Sequence, residues 1–124
     1  MKSQPVGENA WVISPQGVLD ASTSGQLSNR IQKLFDEAKE PSHFLLDMAQ
    51  VKYISSVGLG TLISFVKRSK EKNMTFALYD TQLPVQRVLE ISRLDFLLVK
   101  PESLEAENPF AEYIRSQEIE RKKP

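Results

Sequence analysis

The segment that decides the fold is residues 44–60, FLLDMAQVKYISSVGLG. It opens with a continuous apolar run, Phe44 to Met48, which is too short for a typical helix and predicts a strand covered on both faces. Residues 51–54 then lead into a turn. A helix is predicted to begin near Ser56, because apolar residues recur at helical spacing at Leu59, Leu62, Ile63 and Val66.

Toward the N-terminus, two short β-prone pieces, residues 11–14 and 17–20, are divided by Pro15 and Gln16, which predicts a hairpin. A first helix follows, and Pro41 is expected to end it. Its N-cap oxygens come from Ser22, Thr23 and Ser24, and its apolar face from Leu27, Ile31, Leu34, Phe35 and Ala38.

Toward the C-terminus, residues 74–79 alternate as a strand, and Pro84 occupies the first turn of a third helix that carries Val85, Val88 and Leu89. Residues 96–99 are predicted to close the set of strands. Pro109 must stop any helix that Ser103 begins. A separate helix is predicted from about Phe110 to Glu120, and residues 121–124 then form a frayed tail.

Helices therefore alternate with strands after the hairpin. This order predicts a single-domain α/β fold: a small, mixed, mostly parallel sheet with an N-terminal β-hairpin and helices packed against it. In such sheets the functional edge lies at the carboxyl ends of the strands. Two loops meet that condition, residues 19–23 and 53–60.

Composition excludes several classes of function. The 124 residues carry 16 basic and 16 acidic side chains, so no net charge favours nucleic acid or an anionic membrane. With no cysteine and with His43 as the single histidine, a disulfide, a thiolate nucleophile and a histidine cluster are excluded, and we expect neither metal nor cofactor. The sequence contains no signal peptide and no membrane span, which predicts a cytoplasmic protein without direct membrane insertion.

The serine loop allows two interpretations. Ser55 or Ser56 caps the helix while Gly58 and Gly60 relieve crowding, or an exposed serine there accepts a phosphate that meets free amides and the helix dipole. No P-loop and no Gly-x-Ser-x-Gly elbow is present, so we expect that the protein is not an enzyme. Asp47 is expected to close a turn at the end of its strand, and His43 to lie at the opposite end from Ser56.

Three segments together resemble one known family. They are residues 17–23 (GVLDAST), 46–60 and 85–94, and they are similar to the STAS domain, the sulphate transporter and anti-sigma factor antagonist domain. The resemblance covers roughly residues 10–107. It implies an N-terminal segment at 1–9, a STAS-like domain at 10–107, and a C-terminal helical extension and tail at 108–124.

Stand-alone chains of this length resemble anti-sigma factor antagonists, which a partner serine kinase phosphorylates to switch binding off. The resemblance implies an anti-sigma factor serine kinase and a serine phosphatase as partners. The alternative is a non-phosphorylated structural STAS subunit of a lipid-transport or stress-signalling assembly.

The resemblance also assigns residues to the site. It places the phosphoacceptor at Ser56, with Ser55 where many phosphorylated members have aspartate and Val57 where they have serine or threonine. The environment of the phosphoacceptor is then Asp20, Thr23, Ser55 and Gly58. The partner-binding residues are Val57, Gly58 and Leu59.

Beyond the STAS-like region, apolar side chains form a stripe along one side of the last predicted helix. The stripe consists of Phe110, Tyr113, Ile114 and Gln117. We favour packing onto the protein's own sheet or helices. The alternative is docking to a second copy, which would make a homo-oligomer, or to a larger partner.

Overall fold

The computed structural model describes residues 1–39 and 42–122, so Pro41 and the tail residues 123–124 lie outside the described part. The strands are β1 Lys2–Pro5, β2 Ala10–Ser14, β3 Gly17–Leu19, β4 Ser42–Asp47, β5 Val51–Ile54 and β6 Met74–Tyr79. The helices are α1 Ser24–Glu37, α2 Ser56–Glu71, α3 Leu83–Ile91 and α4 Ala111–Arg121. Two single 3₁₀ turns lie at Asp95–Leu97 and Pro101–Ser103.

The strands form a four-stranded sheet in the order β1-β2-β4-β6 and a two-stranded sheet of β3 and β5. Only the β1–β2 pair is antiparallel among the described pairs. The predicted α/β class with a mixed, mostly parallel sheet is confirmed.

The N-terminal hairpin exists, but its strands are not the predicted ones. β2 pairs with β1, with Ser3 opposite Ile13, whereas β3 pairs with β5. Gly17, at φ 78°, turns the chain away from the main sheet in a conformation that favours glycine. The strand Lys2–Pro5 was missed because its sequence, KSQP, lacks the alternation of apolar and polar residues that marks a strand.

The last predicted strand, residues 96–99, was also wrong. The chain makes a 3₁₀ turn there, and only Leu98 forms a bridge, to Leu78 of β6. Phe96 is 66% exposed while Leu97 is buried, so the apolar run forms no strand and meets β6 at this single bridge. Conversely, residues 51–54 form a strand rather than the approach to a turn, and Ser103 begins no helix.

Both faces of β4 are covered, as the apolar run predicted. Phe44 and Leu46 face the cluster that includes residues of α1, α2 and α3, while Leu45 faces a second cluster with Phe110 and Ile114. Successive strand side chains point to opposite faces, so one apolar strand serves both clusters. The expectation that the C-terminal stripe packs onto the protein's own sheet is confirmed.

Polar contacts also fasten α4, and they correct the predicted frayed tail at Arg121, whereas residues 123–124 lie outside the described part. Arg121 belongs to the helix and pairs with Asp47 at 2.5 Å and Asp80 at 2.7 Å. The hydroxyl of Tyr79 donates to Glu118 at 2.5 Å. Burial lowers the pKa of Arg121, but the hydrogen bonds to the two aspartates outweigh it, so the net pKa is raised.

Candidate functional site

The two candidate loops lie side by side, because they leave neighbouring parallel strands at the same end. Leu19 of β3 is opposite Ile54 of β5, and the amide of Ser55 donates to the Leu19 carbonyl oxygen at 2.9 Å. The structure therefore brings the loop that contains Asp20 next to the serines at the start of α2.

Ser55 is the helix cap. Its backbone is extended, its carbonyl oxygen accepts the amide of Leu59 at 2.8 Å, and its hydroxyl oxygen accepts the amide of Gly58 at 3.3 Å. The capping interpretation is thereby confirmed for one of the two serines.

Ser56 is the first residue of α2 and is exposed. Its hydroxyl makes no hydrogen bond to any other residue in the described ranges. The first amides of a helix have no intrahelical acceptor and lie at the positive end of its dipole, so an anion is favoured there. The arrangement combines an accessible nucleophilic oxygen with surroundings that accept negative charge.

Asp20 organises its own loop. Its Oδ1 accepts the Ser22 hydroxyl at 2.8 Å and the amides of Ser22 and Thr23 at 3.0 and 3.2 Å. The hydroxyl of Thr23 donates to the Val18 carbonyl oxygen at 2.6 Å and fixes the other side of the turn. These contacts, chiefly the Ser22 hydroxyl, lower the pKa of Asp20, so its carboxylate is charged at neutral pH.

The second carboxylate oxygen of Asp20 is not used in this way. Oδ2 meets no donor within residues 1–39 and 42–122. Asp20 therefore holds its loop through one carboxylate oxygen alone.

Gly58, which the resemblance assigned to the partner-binding residues, is buried in the structure. A Cβ at this position would lie 2.5 Å from the carbonyl oxygen of Leu19 and 2.9 Å from Cγ1 of Ile54. Gly58 thus shapes the site by letting α2 approach β3. Gly60 has no such role, because a Cβ there would meet nothing within 4 Å.

An apolar surface borders the two serines. Val57 is 51% exposed, whereas Leu59 is half-buried and packs against the core. Val18 and Tyr53, which are opposite each other in the β3–β5 pair, are 38% and 50% exposed. Sequence reasoning placed Tyr53 in a candidate loop but missed its pairing with Val18, because β5 was not recognised as a strand. We call Val18, Tyr53 and Val57 the apolar surface of the site.

The remaining sequence candidates lie elsewhere. His43 lies near the start of β4, at the opposite end of the sheet from Ser56. Its Nδ1 lies 2.7 Å from the Thr75 hydroxyl, and burial lowers the pKa of the imidazole. The described residues contain no group of acidic, histidine or cysteine side chains arranged to hold a metal ion. None of the helices formed by residues 1–39 and 42–122 has the length and hydrophobicity that a membrane span requires.

Comparison with known proteins places this geometry in context. The family model of the STAS domain matches residues 3–107. An anti-sigma F factor antagonist of Paenibacillus polymyxa is 30% identical over 86 residues, which cover 64% of this chain and 74% of the relative.

Solved structures show the same fold at lower identity. The anti-sigma factor antagonist SpoIIAA in its unphosphorylated form superimposes with a TM-score of 0.73 at 16% identity, covering 93% of this chain and 96% of that one. An anti-sigma factor antagonist from Mycobacterium paratuberculosis gives 0.68 at 18% identity, covering 91% and 90% of the two chains.

Proposed function

The chain belongs to the STAS domain family, and from that premise we propose that it is an anti-sigma factor antagonist whose binding is switched off by phosphorylation of Ser56. The observation that carries the proposal is that the hydroxyls of the two serines differ in their hydrogen bonds. The hydroxyl oxygen of Ser55 accepts the capping hydrogen bond of the helix. Ser56 is exposed, and no described residue forms a hydrogen bond with its hydroxyl.

The proposed docking surface for the anti-sigma factor is the apolar surface of the site together with Leu59. Val18, Tyr53 and Val57 are exposed side chains whose burial against a partner is favourable. Ser56 precedes Val57 in the chain and is itself exposed. A charge added there changes the interface without changing the core.

Phosphorylation would act through charge and solvation. The phosphate brings about −1.5 to −2 charges at neutral pH, and the amides and dipole of α2 favour an anion by about 0.3–1 kcal/mol. The fold therefore tolerates the phosphate. Docking does not, because the dianion and the Asp20 carboxylate beside it would have to lose water against the partner.

The proposal entails a cytoplasmic protein that is not itself an enzyme. Its partners are an anti-sigma factor serine kinase, which adds the phosphate, and a serine phosphatase, which removes it. Oδ2 of Asp20, which no described residue engages, would orient the Ser56 hydroxyl or a metal ion that a partner carries.

Incubation with the cognate anti-sigma factor kinase and ATP tests the proposal, with the phosphate located by mass spectrometry. We expect a single phosphate on Ser56 and none in Ser56→Ala. A phosphate on Ser55 would show that the alignment is displaced by one residue. No phosphate at all would favour the non-phosphorylated structural subunit of a lipid-transport or stress-signalling assembly.

A further inference from the structure

The side chain of Asp47 joins α4 to the end of β4. It is 3% exposed, and Arg121 meets both of its oxygens, at 2.5 and 3.1 Å. The hydroxyl of Tyr113 donates to Oδ2 at 2.5 Å. Both side-chain partners of this nearly buried carboxylate come from the C-terminal helix.

Asp47 also begins the turn from which both halves of the candidate site depart. Its Oδ1 accepts the amide of Ala49 at 3.2 Å. The carbonyl oxygen of Gln50 accepts the amide of Gly17, the first residue of β3, and Val51 begins β5. The two strands that lead to Asp20 and Ser55 therefore both start beside the turn at residues 48–50.

The two short strands connect this turn to the site, so the position of the turn affects the position of the site. β3 has three residues and β5 has four, so at about 3.3 Å per residue the site lies roughly 10–13 Å from the turn. The pair packs into the main core cluster through Leu19, Val51 and Ile54. At its other end, its placement depends on what holds the turn.

A buried carboxylate that loses its guanidinium partner must regain water, since an unpaired charge in the interior is strongly unfavourable. Because the Asp47 side chain also holds the turn, its rehydration would move the turn. Docking of α4 and the geometry of residues 48–50 are linked in this way.

We propose that Tyr113 and Arg121, acting through Asp47, are positioning residues for the Ser56 site. Docked α4 keeps the turn, and with it β3 and β5, in the arrangement that presents the two loops together. The consequence for partner binding rests on the proposed function. Binding at the site should in turn strengthen the docking of α4, because coupling between two sites is reciprocal.

The chain offers a closely matched pair of variants. Tyr113→Phe and Tyr79→Phe each remove one tyrosine-to-carboxylate hydrogen bond of 2.5 Å between α4 and the sheet. Only the Tyr113 bond reaches Asp47; the Tyr79 bond reaches Glu118. A purely structural role of α4 would make the two variants alike.

Amide hydrogen exchange of the full-length chain distinguishes the two cases. We expect the amides of residues 49–58 to exchange about tenfold faster in Tyr113→Phe, the order that a lost hydrogen bond to a charged group supports. The amides of Thr75 to Leu78 in β6 should keep their rates. Tyr79→Phe should leave residues 49–58 unchanged, and Arg121→Met should exceed Tyr113→Phe.

Equal acceleration in the two tyrosine variants, acceleration that extends equally into β6, or none at all would overturn the proposal. If Arg121→Met does not fold, the comparison of Tyr113→Phe with Tyr79→Phe still tests the proposal. The measurement needs no partner, so it stands apart from the proposed function. That function fails if the unmodified wild-type chain binds no anti-sigma factor, whatever the exchange rates are.

Discussion

The carbonyl oxygen of Leu19 lies 2.5 Å from the position that a Cβ of residue 58 would occupy. Gly58 is therefore the point at which α2 rests directly on the end of β3. This contact sets the distance between the helix that begins at Ser56 and the loop that begins at Asp20.

Gly58→Ala should lower the free energy of unfolding by about 1–3 kcal/mol, because the obstructing atom is backbone and the helix must shift. Gly60→Ala is the matched control on the same helix. Nothing lies within 4 Å of its Cβ, so it should raise stability by about 0.5–1 kcal/mol. Urea unfolding of both variants measures the difference. Equal effects would show that α2 does not rest on β3 as described.

Ser55→Ala and Ser56→Ala should differ in stability, although the two serines are adjacent. Loss of the Ser55 cap should cost about 1 kcal/mol, whereas loss of the exposed Ser56 hydroxyl should change stability by less than about 0.5 kcal/mol. Thermal and urea unfolding provide the measurement. A larger loss in Ser56→Ala would mean that the two serines exchange roles in solution.

Ser56→Asp should fold normally and bind the anti-sigma factor weakly, while Ser56→Ala should bind whether or not the kinase is active. Ser116→Asp places the same charge on an exposed residue of α4, which covers the other face of the sheet, and should bind like wild type. Titration calorimetry gives the affinities. Equal affinities for Ser56→Asp and Ser56→Ala would contradict the charge-based switch.

Ile114→Ala should destabilise the protein by about 2–5 kcal/mol, because its side chain is fully buried in the cluster between α4 and the sheet. Ile119→Ala makes the same change on the same helix at a residue that is 67% exposed, and should be nearly neutral. Similar, small losses for both would show that α4 is not docked in solution.

Stability at alkaline pH should report on Tyr113. Burial, and then the hydrogen bond to Asp47, raise the pKa of Tyr113 from 10.0 to about 12. The folded protein holds this proton more tightly than the unfolded chain does, so the contribution is complete below pH 10 and is lost as the pH rises through 12.

Urea unfolding between pH 9 and 12 is the measurement. The free energy of unfolding should fall more steeply in wild type than in Tyr113→Phe; Tyr79, whose pKa is raised by burial and then by its bond to Glu118, contributes equally to both curves and serves as the internal reference. Parallel curves would show that the Tyr113 hydroxyl does not bind Asp47.

The apolar runs of the sequence identified most of the fold. Residues 74–79 alternate and form β6 with the predicted bounds, and α2 begins at Ser56 as expected. The predicted pairing of residues 11–14 with 17–20 failed because pattern identifies strands but not their neighbours, and Gly17 redirects the chain. The strand predicted at residues 96–99 failed because an apolar run of four does not show which of its side chains face water.

Sequence alone determined the serine-bearing loop at a helix start, since capping residues and helical spacing are local properties of the chain. It also indicated that the apolar stripe of the last helix must be buried against another surface. Tertiary structure alone decided which serine caps and which is exposed, that Gly58 is buried under Leu19, and that Asp47 pairs with Arg121. The last two contacts join residues 39 and 74 positions apart, and the contact of Asp47 also depends on the desolvation of a charge that only the assembled interior imposes.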